Sequence, residues 1–123
     1  MKTSVLVVDD ERPFRATAVR MLARMGLAVV AEAGTPDEAM TAAREHRPQA
    51  ALVDVRLPDG DGLELAAALA ALPWRPRVVV TSTDPEATSD ARVRATGAVG
   101  FVAKENLPGS RLRDLLTGEP REE

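Results

Sequence analysis

The chain has 123 residues, a length that suits one domain with a single packed core and excludes an added catalytic domain. Its 45% hydrophobic and 28% charged residues are typical of a soluble globular domain, and a net charge of -3 without a basic stripe argues against direct binding to nucleic acid. The sequence has no cysteine and no apolar segment of membrane-span length, which excludes disulfides and leads us to expect a cytoplasmic protein without a membrane partner.

Five short apolar runs predict five strands, and they cover residues 5–8, 28–31, 50–53, 78–80 and 99–102. The runs are continuous rather than alternating, so we expect both faces of each strand to be buried, as in a parallel sheet covered by helices. Helix-period segments separate the runs. The predicted fold class is therefore α/β, with a doubly wound five-stranded parallel sheet in the order 2-1-3-4-5 and helices on both faces.

Four of the five helices have clear apolar stripes or caps. The first helix is predicted to end at Gly26. Its apolar stripe consists of Phe14, Ala18, Met21, Leu22 and Met25. The second begins with Thr35 as its N-cap, Pro36 at the first helical position and Glu38 at the third. The third and fifth are marked by leucines, namely Leu65, Leu69 and Leu72, then Leu112, Leu115 and Leu116.

The fourth helix differs from the others because its predicted inner face is small. It is predicted to open at Asp84-Pro85 and to face the core with Ala87, Ala91 and Ala95, which bury little area. We therefore expect it to be the least firmly anchored helix. The predicted domain spans residues 1–117, and the charged segment 118–123 is predicted to be a flexible tail or linker stub.

Polar residues follow four of the five apolar runs. Asp9-Asp10 comes after the first run, Asp54 after the third, Thr81-Ser82 after the fourth and Lys104 after the fifth. Each alone has a structural explanation, such as a helix cap or a surface lysine. Together they predict one site, because the carboxyl ends of parallel strands meet at one edge of the sheet. Crowded carboxylates repel one another unless a cation lies between them, so we expect the site to hold a cation. Oxygen ligands favour a hard ion such as Mg²⁺.

Asp54 is the predicted nucleophile of this site. The turn Pro58-Asp59-Gly60 follows it closely and predicts that it lies at the lip of the crevice. A carboxylate can take up a phosphoryl group when a metal ion grips the phosphoryl oxygens, and Lys104 supplies a fixed positive charge.

The motifs at the strand ends resemble those of the receiver domains of two-component response regulators. The matching pieces are Val-Val-Asp9-Asp10-Glu11, Asp54-Val-Arg-Leu-Pro-Asp-Gly-Asp-Gly, Val-Val-Thr81-Ser82 and Gly-Phe101-Val-Ala-Lys104, within a likeness that spans roughly Val5 to Leu116. The stretch from Phe101 to Pro108 is similar to receivers that precede a LuxR-type helix-turn-helix domain. The resemblance implies a flavodoxin-like fold.

The resemblance also implies roles for the site residues. Asp54 would take its phosphoryl group from a sensor histidine kinase or a phosphotransfer protein, in a signalling domain that is not an enzyme but assists its own phosphorylation and dephosphorylation. Mg²⁺ would be held by Asp10, Asp54 and the backbone carbonyl of Arg56, with Asp9 acting through a water molecule. The phosphoryl oxygens would be bound by Thr81, the backbone N–H of Ser82 and Lys104.

A conformational switch is implied as well. Thr81 would move towards the phosphoryl group, Phe101 would rotate into the space it leaves, and the surface of the fourth helix, fifth strand and fifth helix would change to control an output such as transcription. That surface, or the first and fifth helices, could form a homodimer. Two departures from the family pattern bear on this switch: Glu105 stands where many relatives have a cis proline, and Phe101 stands where tyrosine is common.

Two other functions are compatible with parts of the pattern. A phosphate-independent interaction module would keep the fold, but it has no need of the full set formed by Asp9, Asp10, Asp54, Thr81 and Lys104. A hydrolase of the haloacid-dehalogenase type also forms an aspartyl phosphate, but it requires an Asp-x-Asp pattern after the first strand, which Asp9-Asp10-Glu11 does not provide.

Overall fold

A computed structural model of the protein describes residues 2–58 and 60–118. Outside the described part lie Met1, Asp59 and residues 119–123. The predicted tail is therefore described only at Gly118, and the domain boundary after residue 117 stays a prediction. No helix in the described part is long and apolar enough to span a membrane.

Five parallel strands form the central sheet. They are β1 (Ser4–Val8), β2 (Ala28–Ala33), β3 (Ala50–Asp54), β4 (Arg77–Ser82) and β5 (Gly100–Ala103), in the order β2-β1-β3-β4-β5. A separate two-residue antiparallel ladder joins 56–57 to 60–61. The prediction of fold class and strand order is confirmed. The carboxyl ends of β1, β3, β4 and β5 therefore meet at one edge of the sheet.

The edge strand β2 differs from the prediction that every strand is buried on both faces. Val30 is 38% exposed and Glu32 is exposed, although the neighbouring strand β1 is almost wholly buried. The reason is position: β2 pairs only with β1 and forms one edge of the sheet.

Helices cover both faces of the sheet. They are α1 (Arg12–Arg24), α2 (Pro36–His46), α3 (Gly62–Ala70), α4 (Asp90–Ala95) and α5 (Ser110–Thr117), and a 3₁₀ turn covers Lys104–Asn106. On one face, α1 and α5 bury Ala18, Leu22, Leu112 and Leu116. On the other, α2, α3 and α4 bury Ala39, Ala43, Leu65, Leu69 and Val93. The predicted cap of α2 is present, since the Thr35 hydroxyl accepts a hydrogen bond from the Glu38 N–H at 3.2 Å.

Helix α4 begins later than predicted. Asp84 forms a turn instead, in which its side chain accepts a hydrogen bond from the Glu86 N–H at 2.8 Å, and Ser89 caps the helix by accepting from the Arg92 N–H at 3.2 Å. The inner face was also predicted wrongly: Val93 is fully buried, Ala91 and Ala95 are exposed, and Ala87 precedes the helix. In this six-residue helix the larger apolar side chain of Val93 faces the core instead of the two alanines.

Candidate functional site

An open cleft of about 320 Å³ lies at the carboxyl ends of the strands. It is lined by Asp10, Glu11, Asp54, Arg56, Leu57, Pro58, Ser82, Thr83 and Lys104. The structure thus brings the predicted residues from β1, β3, β4 and β5 to one place. This is the position that ligands take in doubly wound sheets.

Three carboxylates converge beside the cleft. Asp9, Asp10 and Asp54 each offer an oxygen, and these oxygens lie within 4.8 Å of one another. Asp9 is fully buried, Asp54 is buried, and Asp10 is exposed. Three carboxylate oxygens, one of them open to solvent, form a donor set that suits Mg²⁺, which binds through a few carboxylates and keeps several waters.

The ammonium group of Lys104 joins two of these carboxylates. Its Nζ lies 2.7 Å from Asp9 Oδ2 and 3.2 Å from Asp54 Oδ2, and the lysine side chain is only 11% exposed. Burial alone would lower the pKa of Lys104, but the hydrogen bond to Asp9 and the charge of Asp54 outweigh it and raise the pKa above its usual value. Lys104 is therefore a fixed cation at neutral pH.

The Asp54 carboxylate has a raised pKa, and burial is the main cause. The Asp9 carboxylate raises it further. The Arg56 N–H, which donates to Asp54 Oδ1 at 3.0 Å, and the positive charge of Lys104 both lower it. Asp54 is thus held by donors on both oxygens, yet its charge is less stable than that of a carboxylate in water. A further cation would favour its ionised form.

The backbone after Asp54 is fixed by a close approach of two chain segments. A Cβ atom on Gly62 would lie 2.1 Å from the Asp54 carbonyl oxygen and 2.6 Å from the Val55 Cα, so only glycine fits there. The Gly62 N–H donates to the Val55 carbonyl at 3.0 Å, and the Val55 N–H donates to the Thr81 carbonyl at 2.9 Å. The sequence around Asp54 is therefore clamped between β4 and the start of α3.

Thr81 and Phe101 do not line the cleft in this structure. The Thr81 hydroxyl donates to the Val102 carbonyl on the neighbouring strand at 2.7 Å. Phe101 is half-buried and packs against the apolar cluster beneath α2, α3 and α4. Ser82 does line the cleft, and its hydroxyl accepts from the Asp84 N–H at 3.1 Å. The peptide bond between Lys104 and Glu105 is trans, and Glu105 lies in the 3₁₀ turn.

Sequence reasoning missed two contacts that α1 makes with the site. The Arg15 guanidinium donates to the Asp9 carbonyl and lies 3.2 Å from Glu32 Oε1. The Phe14 ring lies beneath the Lys104 ammonium group, with 4.0 Å between Nζ and the ring centroid. Phe14 was interpreted only as part of the apolar stripe. Its place in the first turn of a helix that starts beside Asp10 was the signal, because that turn must lie near the strand ends.

Comparisons with known proteins agree on one family. The sequence profile described as response regulator receiver domain matches residues 5–116. The DNA-binding transcriptional activator DevR/DosR of Mycobacterium tuberculosis (strain H37Rv) is 42% identical over 104 residues, which are 82% of this chain and 47% of that protein. This chain belongs to the response regulator receiver family.

Solved structures support the same assignment. The signal receiver domain of the response regulator NarL from Mycobacterium tuberculosis is 31% identical, with a TM-score of 0.83 over 96% of this chain and 98% of that one. A two-component response regulator of the LuxR family from Aurantimonas sp. SI85-9A1 is 26% identical, with a TM-score of 0.82 over 96% of this chain and 87% of that one.

Family membership has general consequences. Receiver domains are signalling domains of two-component systems that bind Mg²⁺ at an acidic pocket and interact with histidine kinases. The curated relatives matched here include transcriptional regulators, and this chain spans about half of their length.

Proposed function

We propose that this receiver domain accepts a phosphoryl group on Asp54 from the phosphohistidine of a sensor kinase or phosphotransfer protein. The observation that carries the proposal is the convergence of the Asp54 carboxylate with the Lys104 ammonium group and the Asp9 and Asp10 carboxylates at an open cleft. A buried carboxylate pair bridged by one lysine is a costly arrangement for structure alone. It suits a group that must be held ionised and reachable.

The transfer forms one bond and breaks another. An Asp54 carboxylate oxygen attacks the phosphorus atom, the phosphorus–nitrogen bond to the donor histidine breaks, and the electron pair of that bond returns to the imidazole. Mg²⁺, when bound, neutralises charge on the phosphoryl oxygens. Its proposed ligands are Asp10, Asp54 and the Arg56 carbonyl, with Asp9 acting through water.

Three groups are proposed to hold the phosphoryl oxygens after transfer. Lys104 exchanges its hydrogen bond with Asp54 for one with a phosphoryl oxygen, and the Ser82 N–H donates to another. The Thr81 hydroxyl leaves the Val102 carbonyl and donates to the third. Since Thr81 Oγ1 is only 2.7 Å from that carbonyl in the present structure, its departure frees an acceptor on β5.

We propose that this change at β5 is the switch. Phe101 precedes Val102 on the same strand and would rotate into the volume that Thr81 leaves. The surface of α4, β5 and α5 would then control an output, which the DNA-binding relatives suggest is transcription, and this surface or α1 and α5 would form any homodimer. The receiver unit is proposed to span residues 1–117, and residues 118–123 are proposed to form a flexible tail or linker stub.

The proposal is tested by incubating the protein with Mg²⁺ and acetyl phosphate and measuring its intact mass. We expect the mass of one phosphoryl group to be gained by the wild type and not by Asp54→Ala. A wild type that gains no mass from acetyl phosphate or from a phosphorylated histidine kinase would overturn the proposal and favour a phosphate-independent interaction module.

A further inference from the structure

The Phe14 ring is the third contact of the Lys104 ammonium group. An ammonium group has three N–H donors, and the Asp9 and Asp54 carboxylates accept two of them. The ring centroid lies 4.0 Å from Nζ, within the range of a cation–π interaction. Phe14 does not line the cleft, so the ring contacts the ammonium group away from the space that a phosphoryl group would enter.

Helix α1 fixes the position of this ring. Phe14 packs against the apolar cluster that contains the fully buried Ala18 and Leu22 of the same helix. The next residue, Arg15, binds the Asp9 carbonyl at the end of β1. The ring is therefore held to the same strand end as one of the carboxylates. Lys104, 90 residues later in the chain, reaches it from the start of the 3₁₀ turn that follows β5.

A ring in this position restrains the ammonium group without neutralising it. A carboxylate at the same place would compete with the phosphoryl oxygen for the lysine, and water would let the flexible side chain move away. The face of an aromatic ring attracts the cation more weakly than a carboxylate does, and it excludes water from that side. The ammonium group can then exchange one oxygen partner for another while staying in the same place.

We infer that Phe14 is a positioning residue for phosphoryl transfer, whose ring holds the Lys104 ammonium group at the cleft while that group exchanges Asp54 for a phosphoryl oxygen. The part of this inference that concerns phosphoryl transfer rests on the proposed function of Asp54. The other part, that the ring holds the ammonium group in place, concerns the unphosphorylated protein and is tested separately.

The first test uses the fact that Lys2 and Lys104 are the only lysines in the sequence. In a protein with ¹³C-labelled lysine, the εCH₂ protons of Lys104 are expected upfield of those of exposed Lys2, because they lie near the ring face. Phe14→Leu and Phe14→Met should move the Lys104 signal towards that of Lys2. Phe14→Tyr should keep it upfield, and so should Met21→Leu, a change on the same helix against the same apolar cluster.

The second test measures the rate of phosphorylation by acetyl phosphate in the same variants, with the melting temperature of each recorded. Phe14→Leu and Phe14→Met should be phosphorylated about tenfold more slowly than the wild type, and Phe14→Tyr at nearly the wild-type rate. Met21→Leu should share any loss of melting temperature without the loss of rate. Mg²⁺ affinity should be nearly unchanged in all four variants, since each keeps the three carboxylates and the Lys104 side chain.

Three results separate the inference from the proposed function. A Lys104 signal that stays upfield in both ring-free variants overturns the inference. So does a wild-type rate of phosphorylation in those variants, and the mass gain of the wild type then leaves the proposed function standing. A wild type that takes no phosphoryl group overturns the proposed function and the transfer half of the inference, and the NMR comparison still decides whether the ring holds the ammonium group.

Discussion

Two networks of acidic and basic side chains lie on this domain, and they differ mainly in burial. In the cleft network, Asp9, Asp54 and Lys104 are nearly inaccessible to solvent, and burial raises the pKa of Asp54. In the surface network, which joins α4, β5 and α5, the side chains of Asp90 and Arg111 are 39% and 52% exposed. There the pKa of Asp90 is lowered, first by the hydrogen bond from the Phe101 N–H and also by Arg111 and Arg94.

The surface network completes the backbone hydrogen bonding of an edge strand. Asp90 Oδ1 accepts from the Phe101 N–H at 3.0 Å, and Arg111 Nη1 donates to the Phe101 carbonyl at 2.7 Å. Asp90 also pairs with Arg94 at 2.9 Å and with Arg111 at 3.1 Å. Asp90 has hydrogen-bond donors and little burial, so its charged form is stabilised and its pKa is lowered. Asp54 has similarly close donors but is largely buried, so its charged form is destabilised and its pKa is raised. The carboxylates of Asp90 and Asp54 therefore differ mainly in their exposure to solvent.

The largest effect on stability is expected from Lys104→Met. The change leaves Asp9 and Asp54 as unpaired buried carboxylates, and we expect it to lower the free energy of unfolding at pH 7 by about 3 kcal/mol. The loss should shrink at acid pH, where the carboxylates take up protons. Urea unfolding at several pH values measures it, with Lys2→Met as the control because Lys2 is exposed. Equal losses in both variants would contradict the contrast in burial.

A smaller effect of opposite sign is expected from Asp54→Asn. Because the folded-state pKa of Asp54 is raised, its contribution to stability is full below the unfolded-state pKa and is lost as pH rises through the folded-state pKa. The asparagine variant escapes that loss and should be more stable than the wild type at pH 7, with a smaller gain at acid pH. A variant less stable than the wild type at neutral pH would show that the Lys104 pairing outweighs burial.

The smallest effect is expected from Asp90→Asn. The lowered pKa of Asp90 means that its contribution is present above the unfolded-state pKa and is lost as pH falls through the folded-state pKa. Solvent screening limits this contribution to about 0.5 kcal/mol. The variant and wild type should therefore differ at pH 7 and converge at strongly acid pH, in low salt. A difference that persists at acid pH would mean that the effect comes from packing rather than charge.

The sequence was sufficient for the sheet and for most of the cleft because both depend on local signals. Continuous apolar runs predict buried parallel strands, and the residues directly after them must share one edge of the sheet. The start of α4 was predicted wrongly, because Asp84-Pro85 is compatible with both a turn and a helix start and the tertiary structure selects the turn. The Phe14–Lys104 and Asp90–Arg111 contacts join residues far apart in sequence, and no spacing pattern predicts such pairs. The position of Phe14 in the first turn of α1 indicated only that its ring would lie near the strand ends, not which residue it would contact.

The burial of Lys104 has a practical consequence for attaching this protein to a surface. The chain has two lysines, of which Lys2 is exposed and precedes β1, and Lys104 is nearly inaccessible and paired with two carboxylates. Amine-reactive reagents need an amine that they can reach, and of these two side chains only that of Lys2 is exposed. Coupling through lysine would therefore anchor the domain by the amino end of its sheet and leave the cleft facing the solution, ready for partner-binding measurements.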